Sequence, residues 1–174
     1  VKKVFAALLV SVLLTGCASY DYPGEVKIGA AMPAATGESL DGQVISIPED
    51  FIGQPTLLLL GYVHKSQFDI DRWLIGLDMT QTDTRVFEIP AIKNVFARLV
   101  SNNIDNSMRE GIPSELWADV ITVYTDGDKL QRFTGNVKPK NARVLLLDEQ
   151  GKVVHFYDRG FSVAALNALR EKIG

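Results

Sequence analysis

Four consecutive leucines, Leu57 to Leu60, sit inside the apolar run 56–62, which opens directly after the turn signal Gly53-Gln54-Pro55. A half-exposed strand alternates apolar and polar residues, and this run does not alternate. An uninterrupted apolar run of strand length, bounded by turn signals, suits a strand buried on both faces. Such a strand needs one layer above it and another below, so the run points to an α/β sandwich.

The flanking sequence supplies those layers. Ser66-Gln67-Phe68-Asp69 carries the Ser-x-x-acid pattern of a helix start, with Ser66 as the cap and Asp69 at the favourable end of the helix dipole. Ile70, Trp73, Leu74 and Leu77 follow at the spacing of one apolar stripe, which leaves Asp71 and Asp78 on a solvated face. Residues 84–89 read as a second strand. Pro90 is placed to open a helix with the stripe Ile92, Val95, Phe96, Leu99 and Val100, weakened at Ser101-Asn102-Asn103. Residues 113–118 read as one helical turn, and 120–124 as a third strand ending in Thr125-Asp126-Gly127-Asp128.

Two hairpins frame this core. Asp41-Gly42 makes a turn before the alternating stretch Val44-Ile45-Ser46-Ile47, and Asp148-Glu149-Gln150-Gly151 joins strands at 143–147 and 152–157. Ser162 caps a last helix with the core face Val163, Leu166, Leu169 and Ile173, and Phe161 and Leu166 are spaced as a hydrophobic staple. The predicted order is hairpin, β, α, β, α, β, hairpin, α, an α/β/α sandwich around a mixed sheet.

Composition excludes several function classes. A chain of 174 residues with 47% apolar and 22% charged residues suits one globular domain and not a disordered segment. Its 18 basic and 21 acidic side chains give a net charge of −3, with no electrostatic footprint for nucleic acid. The chain holds one cysteine, Cys17, which rules out an intrachain disulfide framework and a cysteine-based zinc site.

That cysteine closes an N-terminal address. Lys2-Lys3, the apolar residues 4–14 and the small-residue exit Thr15-Gly16-Cys17 read as a secretory signal. The run is too short to cross a bilayer, which takes about 20 helical residues. Leu14-Thr15-Gly16-Cys17 resembles the bacterial lipobox, in which the cysteine takes acyl chains such as palmitate and becomes the first residue of the mature chain. The resemblance implies a signal peptide over 1–16, a lipidated tether over 17–37 and a domain over 38–174. It also implies a periplasm-facing lipoprotein of the bacterial cell envelope, held to the membrane by acyl chains that each add about 0.8 kcal/mol per buried CH₂. Ala18-Ser19 resembles the outer-membrane class of such proteins. Processing would leave 16 basic against 21 acidic side chains, a net charge of −5.

The body has a resemblance of its own. Leu40-Asp41-Gly42-Gln43-Val44-Ile45-Ser46-Ile47, Gly53-Gln54-Pro55-Thr56-Leu57-Leu58-Leu59-Leu60 and Val144-Leu145-Leu146-Leu147-Asp148-Glu149-Gln150-Gly151-Lys152-Val153 follow one another as in the thioredoxin-like superfamily, in its peroxiredoxin and Sco-type branch. Arg72-Trp73-Leu74 and Val86-Phe87-Glu88-Ile89 are similar, more faintly, to the mitochondrial ATP synthase assembly factor with a thioredoxin-like fold. The resemblance implies a thioredoxin-like domain. It departs where that family keeps its chemistry: Gly61-Tyr62-Val63-His64-Lys65-Ser66-Gln67 contains no cysteine, and Asn141-Ala142 stands where the family has its cis-proline. Thiol–disulfide exchange and peroxide reduction need a thiolate.

The expectation is therefore a module without enzyme activity or cofactor that binds a protein partner or assists assembly. Tyr62, His64, Lys65, Ser66 and Gln67, with Asn141 nearby, form the candidate contact surface. The alternative is a hydrolase-like or other non-thiol enzyme that uses His64 with Ser66 or a carboxylate inside a closed pocket. His155 is expected on the same strand face as Val153 and Tyr157, at a surface or edge, and no metal site is expected. Lys129, Arg132, Lys138, Lys140 and Arg143 read as a basic surface loop able to attract anionic headgroups or an acidic partner. Trp73 and Trp117 read as packing residues.

Overall fold

The computed structural model describes residues 22–92 and 101–174. Thr56–Gly61 forms β3, and every residue of it is buried. Its pleat explains the unbroken leucines. Leu58 and Leu60 enter one apolar cluster, and Leu57 and Leu59 enter another on the opposite face.

The first hairpin is β1 (Ala35–Ser39) with β2 (Val44–Ile47), turning at Gly42 with φ +91°. α1 (Gln67–Met79) follows β3, and β4 (Arg85–Pro90) lies parallel to β3. The helical residues Ser101–Gly111 form α2, and β5 is the short strand Ile121–Thr122. α3 (Gly127–Thr134), β6 (Arg143–Leu147), β7 (Val153–Tyr157) and α4 (Val163–Ile173) complete the chain. One sheet runs β4-β3-β6-β7 and another β2-β1-β5; the parallel bridges Glu88↔Val120 and Ala91↔Val123 join them.

Ile70, Trp73 and Leu77 of α1 meet Ala165, Leu166 and Leu169 of α4 on one face of the sheet. Leu130 of α3, with Ile47 and Phe51 from the hairpin side, fills the other. Trp73 is fully buried, with its ring edge-on to Tyr157 and Phe161, and the Ser162 hydroxyl accepts from Ala165 N at 3.2 Å as a helix cap. The expected α/β/α sandwich with a mixed sheet is the observed fold.

Several expectations change. Pro90 ends β4 instead of opening a helix, because Ile92 N donates to Val123 O at 2.9 Å and holds the chain extended. The stripe residues Val95, Phe96, Leu99 and Val100 lie outside the described residues, while Ser101-Asn102-Asn103 is helical, not broken. Residues 127–134 form α3 where a polar loop was expected. In β7, His155 pairs with Leu146 but Val153 with Leu147, so Val154 bulges out of register. Val153 and Tyr157 consequently face opposite clusters, and His155 does not share a face with both. His155 lies on an edge strand but is half-buried, and burial, then Lys172, pushes its pKa down.

The described part of the expected tether is docked, not free. Tyr22 N donates to Asn136 Oδ1 at 2.7 Å, Asn136 N returns to Tyr22 O at 2.9 Å, and Glu25 N reaches Phe133 O at 2.8 Å. Gly29 N and Met32 N then bond Val153 O and Gly151 O, and β1 begins at Ala35, so the body starts well before residue 38. Gly24 must be glycine, since a Cβ there would lie 2.6 Å from Thr134 O. Among the described residues no helix is long and apolar enough to cross a membrane.

Candidate functional site

β3 ends at Gly61, and the chain then makes a single 3₁₀ turn, His64–Ser66, before α1 starts. β6 begins beside it, with Arg143 paired to Leu60. This juxtaposition brings the candidate loop 62–67 next to Asn141 and Ala142.

Tyr62 is half-buried. Its hydroxyl bonds the Thr134 hydroxyl and donates to Leu130 O at 3.3 Å, both on α3. Burial pushes the phenol pKa well above its ordinary value, against the weaker opposing effects of Thr134 and Arg143. Arg143 lies over the Tyr62 ring, 5.1 Å from its centroid. It is not a surface cation as expected: only 1% of it is exposed. Its Nε donates to Gly135 O at 2.8 Å, and its Nη1 to Lys138 O at 2.7 Å and Asn141 O at 2.6 Å. Burial lowers its pKa, while Tyr62, Asp158 and Asp69 oppose that shift. A guanidinium keeps its proton under such pressure, so the site is built around a buried positive charge.

Asp69 also departs from expectation. It is 7% exposed and does not close a capping box. Instead its Oδ2 accepts from Ala142 N at 2.8 Å and its Oδ1 from Phe161 N at 2.7 Å, tying α1 to two loops. Ser66 is no cap either. Its own backbone is already helical, and its hydroxyl donates to Val63 O at 2.6 Å.

Asn141 is engaged through three of its polar atoms. Its N donates to Lys138 O at 3.1 Å, its O accepts from Arg143, and its Nδ2 donates to Asp158 O at 2.9 Å. The Asn141 and Ala142 amides and the Asn141 carbonyl are therefore spent inside the protein. The peptide bond between them is not cis; among the described residues the cis bond is Ile47-Pro48.

Gln67 turns away from the loop. Its Nε2 donates to Glu88 Oε2 at 3.1 Å and Asp71 Oδ1 at 3.0 Å. Glu88 is buried, and that burial raises its pKa above the ordinary carboxylate value, with Gln67 lowering it and Asp71 raising it further. His64 and Lys65 are exposed, and neither has a side-chain hydrogen bond or ion pair among the described residues. Two apolar side chains beside them are also exposed, Val63 at 41% and Phe68 at 67%.

The site thus divides into an internal frame of Tyr62, Ser66, Asp69, Asn141 and Arg143, and an exposed edge of Val63, His64, Lys65 and Phe68. Sequence reasoning missed Thr134, Glu88, Arg143 and the role of Asp69. The available signal was a charged residue in an otherwise apolar strand, as in Phe87-Glu88-Ile89 and Arg143-Val144-Leu145. His64 is exposed, and among the described residues none closes a pocket over it. A groove of about 580 Å³ lies elsewhere, between the first hairpin and the start of β4, where Arg85 stacks over Phe51 and Phe87. Among the described residues no cluster of three or more His, Cys, Asp or Glu could hold a metal ion. The loop's residues offer no thiolate for disulfide exchange.

No protein-family model matches the chain, and no curated protein matches it in sequence. Solved structures do share its fold. The thioredoxin domain of a thiol-disulfide oxidoreductase from Bacteroides vulgatus superposes with TM-score 0.56 at 16% identity, covering 86% of this chain and 100% of that one. A thiol peroxidase from Chromobacterium violaceum gives 0.57 at 13% identity, covering 88% and 90%. A SCO1/SenC family lipoprotein from Bacillus anthracis str. Ames gives 0.57 at 10% identity, covering 87% and 97%. The fold is thioredoxin-like.

Proposed function

We infer that this chain is a membrane-anchored lipoprotein whose thioredoxin-like domain has no redox activity and binds a protein partner in the bacterial cell envelope. The observation that carries the reading is the division of the loop after β3. Its frame is locked by buried hydrogen bonds, while Val63, His64, Lys65 and Phe68 stand free of the body. A rigid edge with two exposed apolar groups and a cation suits recognition, because little order is lost on binding. The spent amides of Asn141 and Ala142 direct that recognition to side chains and away from β-strand pairing at the late loop. Catalysis by His64 and Ser66 gains no support, since the Ser66 hydroxyl is buried against Val63 O and His64 is open to solvent.

The anchor is Cys17, acylated and retained in the outer membrane with the body in the periplasm. The lipobox-like residues support it, and a protein of like fold is itself described as a lipoprotein. Membership in the thioredoxin-like lineage with lost cysteines explains a domain that keeps the architecture and lacks the nucleophile.

Crosslinking pull-down from native membranes tests the reading. The combined variant His64→Ala, Lys65→Ala and Phe68→Ala should recover its partner about tenfold less well than wild type, as loss of a few central contacts predicts. Equal recovery would overturn the surface assignment. Turnover of a dithiol or hydroperoxide by the purified processed protein would overturn the non-redox assignment.

A further inference from the structure

Residues 18–21 are all that separate Cys17 from Tyr22. Five residue steps reach at most about 18 Å when fully extended. Tyr22, the first described residue, is fixed in place: both backbone bonds go to Asn136, its hydroxyl donates to Asp128 at 3.1 Å, and Arg132 lies 4.4 Å over its ring. A Cβ on Gly135 would come within 2.4 Å of Gly24 N, so this segment runs tight against the end of α3. Gly135 O in turn accepts from Arg143, and Thr134 holds Tyr62. Tyr22 therefore lies beside the frame of the candidate site.

The surface next to Tyr22 carries exposed lysines in a chain that is acidic overall. Lys138 and Lys140 are exposed, and among the described residues neither makes an ion pair. Val137 between α3 and these lysines is 59% exposed. The other cations there are engaged, Arg132 with Asp128 at 2.7 Å and Lys129 with Asp126 at 2.8 Å. The remaining nearby acids are Asp158, whose backbone O holds Asn141, and the exposed Glu25, whose N donates to Phe133 O at 2.8 Å.

We propose that the loop 137–140 rests on anionic phospholipid headgroups, so that the site end of the domain faces the membrane and its partner lies at the bilayer surface. The proposal rests on acylation of Cys17. With so short a leash, the body cannot turn its far side to the bilayer, and Lys138 and Lys140 are held within reach of the headgroups. Val137 supplies an apolar group to the interfacial region between them.

The test uses the processed protein taken from membranes in detergent and inserted into preformed vesicles. These contain phosphatidylcholine alone, or phosphatidylcholine with about 30% phosphatidylglycerol to supply anionic headgroups. Amine-reactive labelling is read residue by residue by mass spectrometry. On the phosphatidylglycerol vesicles Lys138 and Lys140 should label about fivefold more slowly than in detergent, with protection lost near 1 M salt. Lys152 and Lys172, at the late hairpin and on α4, should be unchanged. Lys138→Glu with Lys140→Glu should still float with vesicles but lose the difference between lipid compositions. Equal labelling in all three settings, or equal protection on phosphatidylcholine alone, overturns the proposal. Protection confined to native membranes overturns it in favour of an acidic protein. Flotation of Cys17→Ser equal to wild type defeats the anchor reading itself, separately from the orientation.

Discussion

The exposed edge and the buried frame occupy the same end of the sheet and alternate within a single stretch of chain. Val63, His64 and Lys65 face solvent, whereas Tyr62, Ser66 and Asp69 turn inward to satisfy groups on α3, the loop itself and the start of β6. Residues on the edge carry no structural hydrogen bonds through their side chains, and each residue of the frame carries at least one. Stability and the proposed recognition thus fall to different side chains a few positions apart. The two sets should separate cleanly under substitution.

The largest expected effect is on the frame. Asp69→Ala leaves two amides, Ala142 N and Phe161 N, without an acceptor. Stranded donors of this kind cost about 1–3 kcal/mol each, so the urea midpoint should fall by the equivalent of about 2–5 kcal/mol. Arg143→Met removes the donor from three carbonyls while keeping much of the apolar stem, and about 2–4 kcal/mol of destabilisation should appear in the same measurement. If either variant unfolds like wild type, the frame is not what holds the loop.

Glu88→Gln should act in the opposite sense. The native pKa of Glu88 is raised, so the folded chain keeps this proton to higher pH than the unfolded chain does. Stability therefore falls as pH rises through the window that opens at the ordinary value of 4.5, and the deficit is complete above the raised native value. Glutamine removes the charge and can still accept from Gln67. The melting temperature should rise by about 2–4 °C at pH 8, and the gain should vanish below about pH 4. A gain that persists in acid would mean that packing, not ionisation, is responsible. The smallest effect belongs to the edge: His64→Ala with Lys65→Ala should change stability by less than about 0.5 kcal/mol while weakening partner capture.

Much of the architecture was legible in the chain. The unbroken leucines of β3, the Asp-Gly turn before β2, the Asp148–Gly151 turn and the Ser162 cap are local signals, and each marked its element. The candidate loop was legible as the connection between β3 and α1, but its internal arrangement was not. Asp69 read as a dipole partner because a carboxylate near a helix start normally is one. Nothing within a turn of it shows the amides it accepts from, which lie 73 and 92 positions away. α3 was missed because its apolar positions are few and its charges resemble those of a loop, until Leu130 finds the far side of the sheet.

Composition and period determined the layered fold, the burial of β3 on both faces and the absence of a thiol after it. These follow from spacings of a few residues, which the chain displays directly. Tertiary structure alone decided that Arg143 is a buried cation, that Glu88 is a buried acid, and that Tyr22 is tied to Asn136 across 114 positions. Each of those outcomes depends on a partner brought near only when the layers close. A hydrogen bond between distant residues leaves no periodic trace in the sequence that makes it.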